Sequence, residues 1–368
     1  MRPFSIALFA LLYFYFPELL IAQIKSTAPD VPAKIPVSGS SLSGSGISSS
    51  SLALRASSTM NVVSEMGGAF MSLSKCDGDG NLYIRKFAID QPLLSPVVKI
   101  DADGKRVARF DPAAFPTLAL DRADAFSPAS DGGMYQIAQS GVVKPRIYVL
   151  NFSSDGSPSS AALLDADFEA YTFAAFAERN FLVSGVKRDV LNKSDHGRNF
   201  TAVFSADGRE LAQLSFQDPA QAGATKEISK SAQKDAEKAA STLDLAEAEA
   251  GRDGNLYVMR RSSPALVYVI SPSGTVMKTI KVGSPLPDAL PTAFHVSGNQ
   301  MAVLFWNDEN QRQTVVVADA QTGRKIASYV DPGGLGPSFV CFSANEGVFT
   351  FLKLGEGNAL EIIRAEAR

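Results

Sequence analysis

The chain has 368 residues, of which 45% are hydrophobic and 20% charged, and its formal net charge at pH 7 is -3. This is the composition of a globular protein with a sizeable core, and the slight excess of acidic residues argues against nucleic-acid binding, which needs a surplus of Lys and Arg on one face. Two His, two Cys and one Trp leave little material for a metal site, so we expect neither a metal nor another cofactor.

Residues 1–22 have the layout of a secretory signal peptide. Arg2 precedes an apolar run from Phe4 to Phe16, and a second apolar stretch ends at Ala22, a plausible cleavage position. The sequence therefore predicts a secreted or periplasmic protein with no membrane span after cleavage. The alternative is an uncleaved segment that tethers the chain to a membrane, because the stretch approaches the roughly 20 residues that span a bilayer.

Residues 23–58 are dominated by Ser, Gly and Pro and show no periodicity that would bury one face. This composition predicts a flexible spacer, which would serve as a tether or simply precede the folded domain. The folded domain is predicted to occupy residues 59–368.

Internal repeats are the most informative feature of that domain. The segment CDGDGNLYIRKF at 76–87 returns as GRDGNLYVMRR at 251–261, and each copy is followed by two apolar runs around a Gly-containing turn. The same pair of runs occurs five times, at 96–111, 146–165, 199–216, 265–282 and 314–331. Turns such as Asp103-Gly104 recur at a spacing of about 50 residues, which is typical of propeller blades, and Asp-Gly supplies the positive φ of a tight hairpin.

Six units follow from the first turn of each repeat, although seven blades remain the competing count. The predicted first turns are Gly80-Asn81, Gly132-Gly133, Arg179-Asn180, Gly254-Asn255, Gly298-Asn299 and Glu346-Gly347. The last unit ends after three strands, which would leave an unpaired edge. We therefore predict an all-β, six-bladed β-propeller of four-stranded antiparallel blades, closed by a strand from within residues 50–65.

One segment interrupts the repeats. Residues 218–243 contain KEISKSAQKDAEKAASTL at 226–243, whose helix propensity is strong. We predict a helical insertion before the fourth unit, either a lid or docking arm or a tolerated surface insertion.

The fourth unit, DGNLYVMRRSSPALVYVISPSGT, resembles the NHL-repeat and TolB-like six-bladed propellers. The resemblance covers most of the chain from about residue 60 and is strongest in the first and fourth units. It implies a fold whose members include lyases, lactonases, peptidase accessory domains and binding scaffolds, and a shared fold does not establish a shared function.

Candidate chemistry is sparse. Asp77, Asp79 and Asn81 alternate as in a calcium loop, but an EF-hand needs Gly and Glu at its sixth and twelfth positions, where this chain has Leu82 and Ala88. We predict a tight turn with Asx hydrogen bonds there instead.

The two histidines have no recognisable catalytic setting. His196 lies in a predicted polar loop, and His295 lies in a predicted first strand, where it would pack or line the channel. Cys76 and Cys341 fall near the first strands of the first and last units. An exported chain meets an oxidising environment, in which two cysteines can form a disulfide. Because inner strands diverge and the two cysteines stand at different offsets from their turns, two buried free thiols are favoured over a disulfide.

The connections between second and third strands, at 87–95, 187–198 and 306–312, are longer and more varied than the other turns, so we expect the ligand on their face. Basic residues end the second strands there, with the single Trp nearby, and would attract an anionic group. The predicted ligand-binding residues are Arg85, Lys86, Lys187, Arg188, Arg260, Arg261, Trp306 and Arg312. The alternative is that these charges only end strands and keep the rim soluble.

The sequence thus predicts an exported binding or protein-interaction scaffold, whose partner is a protein or an anionic small molecule or glycan and not a nucleic acid. The alternative is a propeller lyase or hydrolase acting on an extracellular or cell-wall substrate. Two or more acidic or His side chains with perturbed pKa values converging on the channel would favour the enzyme.

Overall fold

The computed structural model describes residues 52–67, 71–86, 92–141, 145–165, 168–187, 198–214, 216, 245–286, 289–308, 311–355 and 359–367. The predicted signal peptide at 1–22, most of the predicted spacer and the predicted helical insertion at 218–243 lie outside these residues. They stay predictions.

Within the described residues the fold is an all-β propeller with one four-residue α-helix, α1 (Val63–Met66), and three 3₁₀ turns. The first strand, β1 (Leu52–Asn61), precedes the helix. Repeats 1 to 3 consist of β2 (Met71–Cys76), β3 (Leu82–Lys86), β4 (Val97–Ile100), β5 (Arg106–Phe110); β6 (Arg122–Pro128), β7 (Met134–Ser140), β8 (Arg146–Phe152), β9 (Pro158–Leu163); and β10 (Glu169–Ala175), β11 (Phe181–Lys187), β12 (Arg198–Phe204), β13 (Glu210–Gln213). Repeats 4 to 6 consist of β14 (Leu245–Ala250), β15 (Leu256–Arg260), β16 (Ala265–Ile270), β17 (Val276–Val282); β18 (Leu290–Ser297), β19 (Gln300–Asn307), β20 (Arg312–Asp319), β21 (Lys325–Val330); and β22 (Ser338–Ser343), β23 (Val348–Leu354), β24 (Leu360–Ala367).

Repeats 1 to 4 each form a separate four-stranded antiparallel sheet. Repeats 5 and 6 belong to one eight-stranded sheet in the order β18-β19-β20-β21-β1-β24-β23-β22. The strand β1 joins the two halves, because it pairs antiparallel with β24 from Leu54↔Ala367 to Asn61↔Glu361 and parallel with β21 only at Leu52 and Ala53.

The pairing of β1 with β24 confirms the prediction that an N-terminal strand completes the last repeat. The strand begins at Leu52, which corrects the predicted end of the flexible spacer. Residues 52–58 belong to the strand instead, and backbone pairing with β24 orders them. Leu54 fixes this strand, since it is 1% exposed and packs in the apolar cluster between repeats 5 and 6.

The first strands of the repeats surround a central channel. They contact one another in the order β2, β6, β10, β14, β18, β22 and back to β2. Six apolar clusters fill the spaces between neighbouring repeats, including one between repeats 6 and 1. The third strand β16 (ALVYVI) lies between two such clusters and is fully buried, whereas the outer β17 alternates between exposed and buried residues.

The predicted turns are found where the sequence places them. Each of the six first turns contains a residue with positive φ, including Gly80 at 82° and the non-glycine Arg179 at 65°. In the second turns, Gly156 and Gly208 both have φ of 90°. A Cβ at Gly208 would collide with the carbonyl oxygen of Leu163, so this position requires glycine for space as well as for conformation.

Candidate functional site

A cavity of about 980 Å³ opens on the face of the propeller that carries the first turns. We call it the turn-face cavity. It is lined by the carboxyl ends of the inner strands, such as Ala175 and Ser297, and by turns such as 78–80 and 251–252. Its size is within the range of small-ligand sites, and it lies at the end of the channel opposite to the connections between second and third strands.

An ion pair crosses the floor of this cavity. Lys75 Nζ on β2 donates to the carbonyl of Ala248 at 2.8 Å and lies 3.5 Å from Oε1 of Glu249 on β14. Because β14 is three inner strands away from β2 in the ring, this contact connects opposite sides of the channel. Both side chains are largely buried, so removal of one would leave the other charge poorly compensated.

Beside this ion pair, three inner strands bring two cysteines and a histidine together. Cys76 on β2 and Cys341 on β22 form a disulfide, with their Cα atoms 6.0 Å apart. His295 on β18 lies next to it, with Nε2 3.3 Å from Cys76 Sγ. All three residues are at most 6% exposed, and all three line the turn-face cavity.

The disulfide corrects the preference for two free thiols. Unequal offsets from the turns do not keep the two cysteines apart, because β2 and β22 are neighbouring inner strands and the Cα atoms of the cysteines lie 6.0 Å apart. Inner strands also converge at the channel, which brings the two cysteines within bonding range.

The hydrogen bonds of His295 define its tautomer. The backbone N–H of Phe342 donates to Nδ1 at 3.3 Å, so the ring proton belongs on Nε2, which faces Cys76. Burial lowers the pKa of His295, while the nearby Glu249 opposes this shift and Lys75 adds to it. The ring is therefore neutral at pH 7 and donates to sulfur.

The same cluster has the ligand types of a metal site. The three potential ligand atoms lie within 4.8 Å of one another, a spacing at which a thiophilic metal is held by Cys and His. In the oxidised state, however, both sulfurs are bonded to each other and Nε2 carries the proton. These donors do not fit a metal in that state.

A partly buried carboxyl group lies behind the floor. Burial raises the pKa of Glu247 to about 7, and the neighbouring carboxylate of Glu249 contributes to the increase. Oε2 of Glu247 accepts a hydrogen bond from the backbone N–H of Phe294 at 2.9 Å. Glu247 is absent from the cavity wall, so it supports the β14–β18 contact rather than facing a ligand.

Acidic and basic side chains lie on different sides of the rim of the turn-face cavity. The first turns of repeats 1, 2 and 6 contribute Asp79, Asp131 and Glu346, whereas those of repeats 3 and 4 contribute Arg179 and Arg252. Among the described residues, the side chains of all but Asp131 form no hydrogen bond or ion pair, and Asp131 accepts only from the backbone N–H of Gly133. The cavity mouth therefore has an acidic side and a basic side.

A further cationic side chain, Arg364, lines the cavity on its acidic side. Arg364 on β24 donates from Nη2 to the carbonyl of Ala102 at 3.1 Å. Its guanidinium is thus fixed by the backbone, unlike those of Arg179 and Arg252.

The repeated DGNLY motif is structural, as predicted. Oδ1 of Asp77 accepts from the backbone N–H groups of Asp79 and Asn81, each at 3.0 Å, and Oδ2 accepts from the Asn81 side chain at 2.9 Å. These bonds form the predicted Asx turn. Lys99 Nζ also lies 3.4 Å from this carboxylate, so its charge is balanced within the protein.

The second copy of the motif is held by a similar arrangement. Asp253 accepts from the backbone N–H of Asn255 at 3.2 Å and from the hydroxyl of Tyr257 at 3.1 Å. Burial and the Asp253 charge raise the pKa of Tyr257. A carboxylate therefore anchors the turn in both repeats, from Asp77 in the first and from Asp253, the counterpart of Asp79, in the fourth.

The predicted ligand-binding residues lie away from the turn-face cavity, and none of them lines it. Arg85, Lys86, Lys187 and Arg260 are at the carboxyl ends of second strands and Trp306 is near the end of β19, as expected, while Arg312 begins β20 and Arg261 follows β15. Arg188 and His196 lie outside the described residues, as does much of the connecting segments on that face.

Several of these side chains have local partners. Nη2 of Arg85 donates to the carbonyl of Leu93 at 3.5 Å, and burial lowers its pKa. Lys187 Nζ lies 3.9 Å from the ring centre of Phe200. Trp306 Nε1 donates to Asp308 at 2.6 Å, and Arg261 and Arg312 also have partners. The structure does not gather these residues into one site, and anion binding by them stays a prediction.

Sequence reasoning missed Lys75, Glu249 and the charged rim. The rim could have been found, since Asp79, Arg179, Arg252 and Glu346 all stand within predicted first turns. The floor residues lack such a marker, because each occupies an ordinary strand position.

None of the helices in the described part of the chain has the length and apolar character needed to cross a membrane.

No protein-family model and no curated protein matches the chain. Similar solved structures include the WD40 domain of Neurospora crassa Pan2, at 11% identity over 87% of this chain and 97% of that one with a TM-score of 0.44. Virginiamycin B lyase from Staphylococcus aureus is 11% identical over 86% of this chain and 100% of that one, with a TM-score of 0.44. A protein of unknown function from Bacteroides caccae is 14% identical over 70% of this chain and 78% of that one, with a TM-score of 0.35. Such likeness bears on the fold alone.

Proposed function

We propose that the protein is an exported, six-bladed propeller that binds a small polar ligand in its turn-face cavity and does not transform it. Counting six blades means treating the eight-stranded sheet as two, which is reasonable because β1 pairs with β21 at only two residues. Kinship with the NHL-repeat and TolB-like propellers belongs to the same proposal and rests on the DGNLY repeats. Export rests on the layout of residues 1–22, and N-terminal sequencing of protein recovered outside the cell should begin after Ala22; retention of Met1 would contradict cleavage.

The separated charges of the rim are the observation that carries this proposal. Arg179 and Arg252 present two cations on one side that form no ion pair with another described residue, and Asp79, Asp131 and Glu346 present anions on the other. A ligand with an anionic group at one end and a cationic group at the other satisfies both sides at once. A purely anionic ligand would meet the acidic side unfavourably.

The enzyme alternative has one specific observation in its favour. Glu247 and His295 both have perturbed pKa values and both lie on inner strands, but only His295 lines the cavity, so the two side chains do not converge on the channel. Their hydrogen bonds weaken the case, because Nδ1 of His295 accepts from Phe342 and its Nε2 faces Cys76. Glu249 forms an ion pair with Lys75. Among the described residues, the titratable side chains of His295 and Glu249 at the floor are both held by contacts within the protein, so binding is the function that the geometry supports best.

Four forms of tri-alanine test the proposal by titration calorimetry at low ionic strength. Free tri-alanine carries both charges, the N-acetylated form is anionic, the C-amidated form is cationic and the doubly capped form is neutral. We expect the free peptide to bind tightest, and each cap to weaken binding about fivefold, the effect of losing one charge pair near a surface. The variant Arg179→Ala/Arg252→Ala should weaken the free and acetylated forms alike.

The variant Arg260→Ala/Arg261→Ala is the matched control, since it removes the same charge from the opposite face. It should leave binding of all four peptides unchanged. If instead it abolishes binding of the acetylated peptide, the basic residues of that face form the site and the cavity proposal is wrong. Equal binding of all four forms, or no binding of any, would also refute selection by the rim.

A further inference from the structure

The Cys76–Cys341 disulfide connects the first and last repeats of the ring. Cys76 ends β2, and Cys341 lies in β22, whose repeat is completed by the N-terminal strand. Both residues pack in the apolar cluster between repeats 6 and 1, and both reach the wall of the turn-face cavity. The bond therefore lies where the first and last repeats of the ring meet and is reached from solvent through the cavity.

The two sulfur atoms have different surroundings. Nε2 of His295 lies 3.3 Å from Cys76 Sγ, and its tautomer makes it a hydrogen-bond donor because Nδ1 accepts from Phe342. Among the described residues, no corresponding donor contacts Cys341 Sγ. A donor at sulfur stabilises the thiolate over the thiol, so Cys76 is the better leaving group of the pair.

We propose that this disulfide is a site of thiol–disulfide exchange with low-molecular-weight thiols, in which Cys341 is attacked and Cys76 leaves. The incoming thiolate forms a bond to Cys341 Sγ as the bond between the two cysteines breaks, and the electron pair passes to Cys76 Sγ, facing the Nε2 proton of His295. The product is a mixed disulfide at Cys341 and a thiolate at Cys76.

A second thiolate completes the exchange. It attacks the sulfur of the small molecule in the mixed disulfide, which releases Cys341 as a thiolate and forms a small-molecule disulfide. The protein gains two electrons, two small thiols are oxidised, and two solvent protons convert the protein thiolates to thiols. The exclusion of larger partners follows from burial, since both cysteines are at most 6% exposed while the cavity of about 980 Å³ admits a tripeptide thiol.

This inference is independent of the ligand proposal, because it concerns the floor of the cavity and not its charged rim. The bond joins repeats 1 and 6 beside the Lys75–Glu249 ion pair, so opening it frees β2 and β22 to separate at the seam. A disulfide with a purely structural role would instead resist small thiols until the chain unfolds.

Reduced glutathione is the probe. The folded full-length protein is incubated with it at pH 7.5 without denaturant, quenched by alkylation and mapped by peptide mass spectrometry. We expect glutathione on Cys341 and the alkylating group on Cys76. Absence of reaction below the unfolding transition, or glutathione mainly on Cys76, would overturn the proposal.

Two variants of the histidine test its positioning role. His295→Asn keeps an acceptor for Phe342 and removes the donor to Cys76, so formation of the mixed disulfide should slow about tenfold, as expected for a lost hydrogen bond to a developing charge. His295→Gln retains a donor near the Nε2 position and should restore most of the rate. Equal rates in the wild type and a folded His295→Asn variant would overturn the role of the histidine. If neither variant folds, the position of glutathione in the wild type decides.

Discussion

The raised pKa of Glu247 makes the stability of the propeller depend on pH in a definite direction. A carboxyl whose pKa is higher in the folded than in the unfolded state binds its proton more tightly in the folded state. Its contribution to stability is complete below the unfolded value of 4.5 and is lost as the pH rises to about 7. The variant Glu247→Gln keeps an oxygen acceptor for the Phe294 N–H and has no proton to lose.

The size of the effect follows from the shift. An increase from 4.5 to about 7 corresponds to about 3 kcal/mol at roughly 1.4 kcal/mol per pKa unit. The free energy of unfolding of the wild type should therefore fall by this amount, relative to Glu247→Gln, between pH 4 and pH 8. Other titrating groups cancel in this double difference because both proteins contain them.

Urea unfolding of both proteins at several pH values between 4 and 8 measures the effect. The variant Glu249→Gln is a useful control, since loss of the neighbouring carboxylate lowers the pKa of Glu247 and should narrow the range over which stability is lost. A difference between wild type and Glu247→Gln that stays constant within about 0.5 kcal/mol across the range would refute the reasoning.

Two further predictions concern the fold. Leu54→Ala should lower the free energy of unfolding by about 2–5 kcal/mol because it leaves a cavity between repeats 5 and 6, whereas Leu52→Ala, at a site 47% exposed, should change it by less than about 0.5 kcal/mol; equal effects measured by urea unfolding would contradict the role of β1. Gly208→Ala should cost clearly more than Gly254→Ala, since both positions have positive φ, which costs about 1–2 kcal/mol, but only the first would also meet the Leu163 carbonyl. Similar melting temperatures of the two variants would contradict that argument.

Local rules determined the parts of the fold that the sequence predicted correctly. The turns at Gly80, Gly156 and Gly208 were predictable because glycine with positive φ is a property of a few adjacent residues. The pairing of β1 with the last repeat was predictable from the unpaired edge that three strands would leave. The Asx turn at Asp77 likewise depends only on residues 77–81.

The channel floor was not predictable in the same way. Lys75, Glu249 and His295 come from repeats 1, 4 and 5, and their meeting depends on how inner strands converge around an axis. The bulges in these strands change which residues face the channel, and a period-two pattern cannot locate a bulge of one residue.

The central claim is that the ligand occupies the turn-face cavity, and hydrogen–deuterium exchange of the wild-type protein with saturating free tri-alanine tests it most directly. We expect slower exchange in the first turns at 77–81, 129–133, 176–180 and 251–255, and no change at the ends of the second strands near Lys86, Lys187 and Arg260. Protection at those strand ends, with the first turns unaffected, would contradict it.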